Sequence, residues 1–191
     1  MIKVALTGNI ASGKSTVQDF IENFGYKVLD TDVVGHEILK TSSEIKDAFS
    51  NYDVFNQDKT ISREKLAQLV FSDKKLKDKL ESISHPLIRD KMIEFFEQNS
   101  SEKVIFVAIP LLFEANMQDL FDKIIFVYAD DEIRKKRLIL RNKYSEDYAE
   151  IRIKSQMPQD KKVVLCDYVI YNDADVESLH KQIKDVLSFI L

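Results

Sequence analysis

Short apolar runs alternate with longer amphipathic stretches along this chain. Ile2 to Leu6 is apolar and of strand length, and Val17, Phe20, Ile21 and Phe24 then recur at helical spacing. Gly25 follows Phe24 where a left-handed helix cap is favoured. Tyr26 to Leu29 reads as a short buried strand ending on Asp30-Thr31-Asp32, and Val33 to Lys40 as a helix. Residues 41–62 mix polar positions with Phe49, Tyr52, Val54 and Phe55, which predicts a short helix and an irregular loop. Helical patterns follow at Ser62 to Phe71 and Ser72 to Ile83, carrying Leu66, Leu69, Val70, Leu76 and Leu80. Another helix is expected from about Pro86 to Asn99, with the proline in the first turn, where its missing N–H would be unpaired anyway. Lys103 to Ile109, rich in Val, Ile and Phe, suits a buried parallel strand, and Lys123 to Tyr128 is the next one. Asp130-Asp131 then caps a basic helix, Ser145 to Met157 gives a second helix, and Pro158 stops it. Tyr168 to Tyr171 is the last strand, and Val176, Leu179, Ile183, Val186, Leu187 and Ile190 line a closing helix.

Strands alternating with helices predict an α/β fold, three layers (α/β/α) around a parallel five-stranded sheet, as one domain over residues 1–191. Several helices lie between the strand near residue 29 and that near residue 104, where a simple crossover needs one. Residues from about 60 to 100 are therefore expected to be a helical insertion that shapes the site of a second substrate. The polar helix pair at about 141–160 has the character of a mobile lid, whose chemical purpose is to keep water off a reactive phosphate.

Composition narrows the function classes. With 45% hydrophobic residues among 191, the chain can build a real core, and a net charge of −4 gives no nucleic-acid footprint. The single cysteine, Cys166, excludes an internal disulfide and a cysteine-based zinc site and suits a reducing compartment. No apolar run approaches the roughly 20 residues that span a membrane. Because the chain starts on a core strand, no signal peptide is expected. The expected partners include neither nucleic acid nor membrane, and the expected location is the cytoplasm.

The most specific chemistry lies at Gly8-Asn9-Ile10-Ala11-Ser12-Gly13-Lys14-Ser15, which matches G-x-x-x-x-G-K-S between a strand and a helix. Its two glycines let the backbone curl so that N–H groups converge on an anion, and the helix N-terminus adds its positive dipole end. Lys14 is placed to reach the β- and γ-phosphates, and the Ser15 hydroxyl to complete a Mg²⁺ shell. Asp30 and Asp32 follow the second strand on the edge where α/β sheets bind ligands. On extended backbone they would point to opposite sides. No acid ends the run 104–109, so Asp32 is the expected carboxylate support, with Glu114 dependent on its loop turning inward. Arg134, Arg137 and Arg141 share one helix face. Arg137 and Arg141 are expected to meet phosphate or purine, and Arg134 to face solvent. A GTPase is excluded: the switch segment before Asp32-Val33-Val34-Gly35 is too short, and Asn142-Lys143-Tyr144-Ser145 lacks the guanine-reading Asp.

Together these parts predict a P-loop kinase of a small molecule, and the chain resembles the dephospho-coenzyme A kinases. The likeness rests on Leu6-Thr7-Gly8, Asp30-Thr31-Asp32, Ser62-Arg63-Glu64-Lys65-Leu66, Val70-Phe71, and Leu80-Glu81-Ser82-Ile83 with His85-Pro86. It continues through Pro110-Leu111-Leu112-Phe113-Glu114, Arg137-Leu138 with Arg141, Arg152 with Gln156, and Asp167 to Asn172, in the family's order. The resemblance implies transfer of the γ-phosphate of ATP, with Mg²⁺, to the ribose 3′-hydroxyl of dephospho-coenzyme A. It further implies Asp32, Lys14 and Arg137 as catalytic residues. Ala11, Ser12, Gly13, Lys14, Ser15, Thr16, Arg141 and Asn172 would bind ATP; Thr7, Asp32, His85 and Arg89 would bind the acceptor. The family often has glycine where this chain has Asn9 and Ala11, and alanine where it has Cys166. A kinase of a nucleoside or nucleoside monophosphate is the nearest alternative, and a nucleotide-sensing module without turnover is one of another class. The oligomeric state is open, with a monomer favoured.

Overall fold

The computed structural model describes residues 1–190. They form two compact units, one of residues 1–30 with 98–190 and one of residues 31–97.

The first unit is built on five parallel strands: β1 (Ile2–Gly8), β2 (Val28–Asp30), β3 (Val104–Ala108), β4 (Lys123–Tyr128) and β5 (Tyr168–Tyr171). Their order is β2-β3-β1-β4-β5. Leu6 lies opposite Ala108 on one side and Ile125 on the other, so β1 is central and its residues from Val4 to Gly8 are buried. Burial on both faces explains the unbroken apolar runs in place of an alternating pattern. Helices α1 (Lys14–Asn23) and α9 (Val176–Ile190) cover one face, where Val17, Ile21, Leu179 and Ile183 pack on Val4, Leu6, Phe106 and Val127. Ala5, Ile105, Val107 and Phe126, which alternate with these residues, are fully buried too, as a three-layer α/β fold requires. The order reverses at β1, whose neighbours β3 and β4 are reached from it in opposite directions, and such a switch point is where open α/β sheets bind ligands.

The second unit holds α2 (Thr31–Thr41), α3 (Ser43–Ala48), α4 (Arg63–Ser72) and nearly all of α5 (Lys74–Gln98). Ser42 and Ser62 cap α3 and α4 by accepting from Ile45 N and Lys65 N. The segment read as an irregular loop closes on itself through a bridge between Phe55 and Ile61, with Lys59 at φ 62°.

The structure differs from expectation at Pro86 and at Asp32. Pro86 does not begin a helix: α5 is one 25-residue helix with Pro86 inside it. Proline at a first turn is commoner, because inside a helix it removes one hydrogen bond and crowds the preceding turn, at about 3 kcal/mol. The good helix formers on both sides, and the buried Met92 and Phe96, carry the helix through. Likewise, Asp32 does not lie on extended backbone. Helix α2 starts at Thr31, directly after β2, so Asp32 falls in its first turn and strand alternation does not apply to the pair.

Candidate active site

In the first unit, β1 ends at Gly8 and α1 begins at Lys14, so residues 8–13 form the loop between strand and helix. Gly13 is left-handed (φ 95°), and a Cβ there would also collide with the Asn172 side chain. A Cβ on Gly8 would come within 2.6 Å of Ser12 Oγ and 2.8 Å of the Val127 carbonyl. Within the loop these two positions have no room for a Cβ. Ala11 is left-handed as well (φ 61°), which costs an alanine about 1–2 kcal/mol, so glycine would sit more easily there.

The start of α1 is open for an anion. Its N-cap, Gly13, has no side chain to accept from the first-turn amides, and that turn contains no acid. By contrast, α3, α4, α6 (Asp131–Asn142) and α7 (Glu146–Lys154) have Ser or Asp caps and an acid in the first turn. Lys14, Ser15 and Thr16 make up the uncapped turn, with Ser15 and Thr16 exposed and Lys14 half-buried.

The loop is braced from outside through its carbonyls. Arg137 NH1 donates to the Ala11 and Ser12 carbonyls (3.3 and 3.2 Å), and its NH2 to the Asn172 carbonyl (2.8 Å). Asn172, buried after β5, donates its amide to the Ser12 carbonyl at 2.8 Å. Holding these carbonyls outward turns the amides inward.

Arg134 was expected in solvent and is instead 1% exposed. Its Nε donates to the Ile10 carbonyl at 2.9 Å and its NH1 to Asp131 at 2.6 Å. Burial pulls its pKa below the ordinary value, and Asp131 opposes that pull. Helical spacing placed three arginines on one face, but nothing in the sequence tells which of them lies beneath the loop. Arg141 is the exposed one, donating to the Asn142 side chain.

Helices α6 and α7 pair, with Lys135 and Glu146 4.0 Å apart and the Tyr144 and Tyr148 rings edge to face. The foot of α7 touches the phosphate loop: Ile10 N donates to Gln156 Oε1 (2.7 Å), and Asn9 Nδ2 to the Met157 carbonyl (2.9 Å). The next helix, α8 (Gln159–Val163), follows Pro158 at once and carries Lys162, whose side chain is fully buried. Glu114 pairs with the Lys162 ammonium at 2.8 Å and accepts from Met157 N at 3.2 Å. Its carboxylate is thus engaged toward α8. These contacts bridge more than forty residues and left no mark in local patterning. Thr7, fully buried, donates its hydroxyl to the Pro110 carbonyl at 3.4 Å.

In the second unit, His85 lies inside α5, not at a helix start as expected, with Arg89 four residues on and hence on the same face; both are half-buried. Helices α2 and α5 meet where Gly35 faces Ile88, a built Cβ being 3.9 Å from Ile88 Cδ1. Gly35 and Ile88 lie three residues after Asp32 and His85 respectively, so these two residues are one turn from that contact.

Known proteins resemble this chain over nearly all of its length. The dephospho-CoA kinase family model matches residues 2–178. A dephospho-CoA kinase of Listeria innocua is 40% identical over 98% of this chain and 94% of its own. A Thermus thermophilus crystal structure covers 100% of this chain and 98% of its own at TM-score 0.87 and 31% identity. A dephospho-CoA kinase from Campylobacter jejuni gives TM-score 0.76 and 30% identity over 98% of this chain and 96% of its own. With an open phosphate loop after a central parallel strand and a match of this extent, the chain belongs to the dephospho-CoA kinase family.

Proposed function

We propose that this chain is a dephospho-CoA kinase that transfers the γ-phosphoryl group of ATP to the ribose 3′-hydroxyl of dephospho-CoA. The family match over residues 2–178 carries this reading, because it spans both the phosphate loop and the acceptor-side residues Asp32, His85 and Arg89. Phosphoryl transfer asks for positioning and charge stabilisation more than for covalent chemistry by the protein.

On the donor side, the amides of residues 11–16 hold the phosphates, and Lys14 neutralises the charge that develops on the transferred group. Arg137 and Asn172 keep the loop in that shape and set a further cation beside it. Arg141, exposed on α6, meets ATP when the lid over 141–160 closes. On the acceptor side, Asp32 takes the hydroxyl proton, and His85 and Arg89 hold the acceptor, with Thr7 beside the loop supporting it. The helical segment from about 60 to 100 is the acceptor-binding element. The donor set fits Mg²⁺: the exposed Ser15 hydroxyl is a hard oxygen on the first turn of α1, and this ion keeps most of its shell as phosphate and water. When bound, Mg²⁺ offsets the phosphate charge. A monomer is the favoured state, and ATP use suits the cytoplasm.

The test is coupled ADP release with dephospho-CoA, nucleosides and nucleoside monophosphates as acceptors. Release that depends on dephospho-CoA is expected, and release only with a nucleoside would replace this reading. The Asp32→Asn chain should fold, bind ATP and not turn over; if Asp30→Asn alone behaves so, the two aspartates exchange roles.

A further inference from the structure

Lys162 is the one fully buried lysine among the described residues, and the reaction described above makes no use of it. A buried ammonium is costly unless it is paired and hydrogen-bonded, so its position requires an explanation. Its ion partner is Glu114, which at the same Oε1 accepts from Met157 N. The other side of that residue, the Met157 carbonyl, accepts from Asn9 of the phosphate loop. One residue earlier, Gln156 accepts from Ile10 N. Two residues later, Gln159 donates to the Ala129 carbonyl and to Asp131, the partner of Arg134 beneath the loop. Residues 156–162 are thereby tied both to the loop that holds the donor and to the helix bearing the arginines.

We propose that Glu114 and Lys162, acting through Met157 and Asn9, are positioning residues that lock the foot of the lid to the phosphate loop. The lock sets ATP affinity and keeps water from the γ-phosphate. Neither side chain touches substrate in this role. The lysine holds the carboxylate, the carboxylate holds the Met157 amide, and the Met157 carbonyl fixes the Asn9 amide. Loss of either charge strands the other and frees the foot of α7. The inference rests on the kinase reading above.

The test uses the full chain with Glu114→Gln, Lys162→Met, the double variant and Asn9→Ala. It measures KM for ATP, KM for dephospho-CoA, ADP released per acceptor phosphorylated, and thermal midpoint. Each hydrogen bond of this kind is worth about two- to tenfold in an equilibrium. KM for ATP should therefore rise by about that factor in the charge variants and by about two- to threefold in Asn9→Ala, which loses one neutral hydrogen bond. KM for dephospho-CoA should stay within about twofold, ADP released should exceed product formed, and the double variant should be no worse than the poorer single one. Variants with lowered midpoints but unchanged KM for ATP and one ADP per product would overturn the lock and leave a structural ion pair. Should Lys162→Met fail to fold, Glu114→Gln and Asn9→Ala decide the matter on the same readouts. Absence of dephospho-CoA-dependent ADP release in the unaltered chain would overturn the kinase reading instead, so the two failures are distinguishable.

Discussion

Lys14 and Cys166 owe opposite reactivities to where the fold puts them. Lys14 begins α1 at the uncapped turn, so its ammonium is the cation the loop itself contributes. Replacing it with alanine should lower kcat by about 100-fold or more, the size of effect seen when one preorganised charge-stabilising donor is removed. Steady-state kinetics at saturating ATP checks this, and near-normal turnover would take the loop out of the chemistry. Cys166 is inert for the opposite reason. Burial pushes its thiol from the ordinary 9.0 up to about 12; Asp167 adds to the shift and Lys162 opposes it. Near pH 8, alkylation or disulfide exchange should run about a thousandfold slower in the native chain than in urea, because only the thiolate reacts. The sign for stability follows: folding favours the protonated thiol, so this contribution is intact below pH 9 and is lost as pH rises toward 12. Denaturation midpoints of Cys166→Ala should lack that alkaline decline.

At the scale of elements, periodicity made the strands and most helices legible, since buried parallel strands are continuous apolar runs and helices repeat on one face. Pro86 and Arg134 escaped it for different physical reasons. A proline marks a helix start more often than an interior, and only the packing of α5 decides against the commoner case. Replacing Pro86 by alanine should restore an N–H to the Ser82 carbonyl and relieve crowding, raising stability by about 1–3 kcal/mol; a thermal midpoint that falls would show the proline is needed for packing. Arg134 was assigned to solvent because a charged helix face normally is. Its role depends on the Ile10 carbonyl, 124 residues away in sequence. Arg134→Met should leave the Ile10 carbonyl without its side-chain donor and Asp131 with Gln159 alone, destabilising the chain by about 1–3 kcal/mol, read as a lower urea midpoint at unchanged slope.

For the whole molecule, the phosphate loop was legible because its motif encodes its own geometry: Gly8 and Gly13 are the positions where a Cβ does not fit. Its surroundings were less so. Arg137 and Asn172 were singled out in sequence, but that they hold the loop's carbonyls emerges only from the fold. The contacts of Glu114, Met157 and Lys162 join three distant segments, which no single sequence window contains. The residues proposed for donor and acceptor also fall in separate units, with Lys14 in one and Asp32, His85 and Arg89 in the other. The proposed reaction is transfer to one hydroxyl of one acceptor. The most direct measurement is phosphorus–proton NMR of the purified product after turnover with ATP, Mg²⁺ and dephospho-CoA. One new phosphomonoester coupled to the ribose H3′, formed in equal amount to ADP, is the predicted result. No new monoester, or one coupled to another proton, would contradict it.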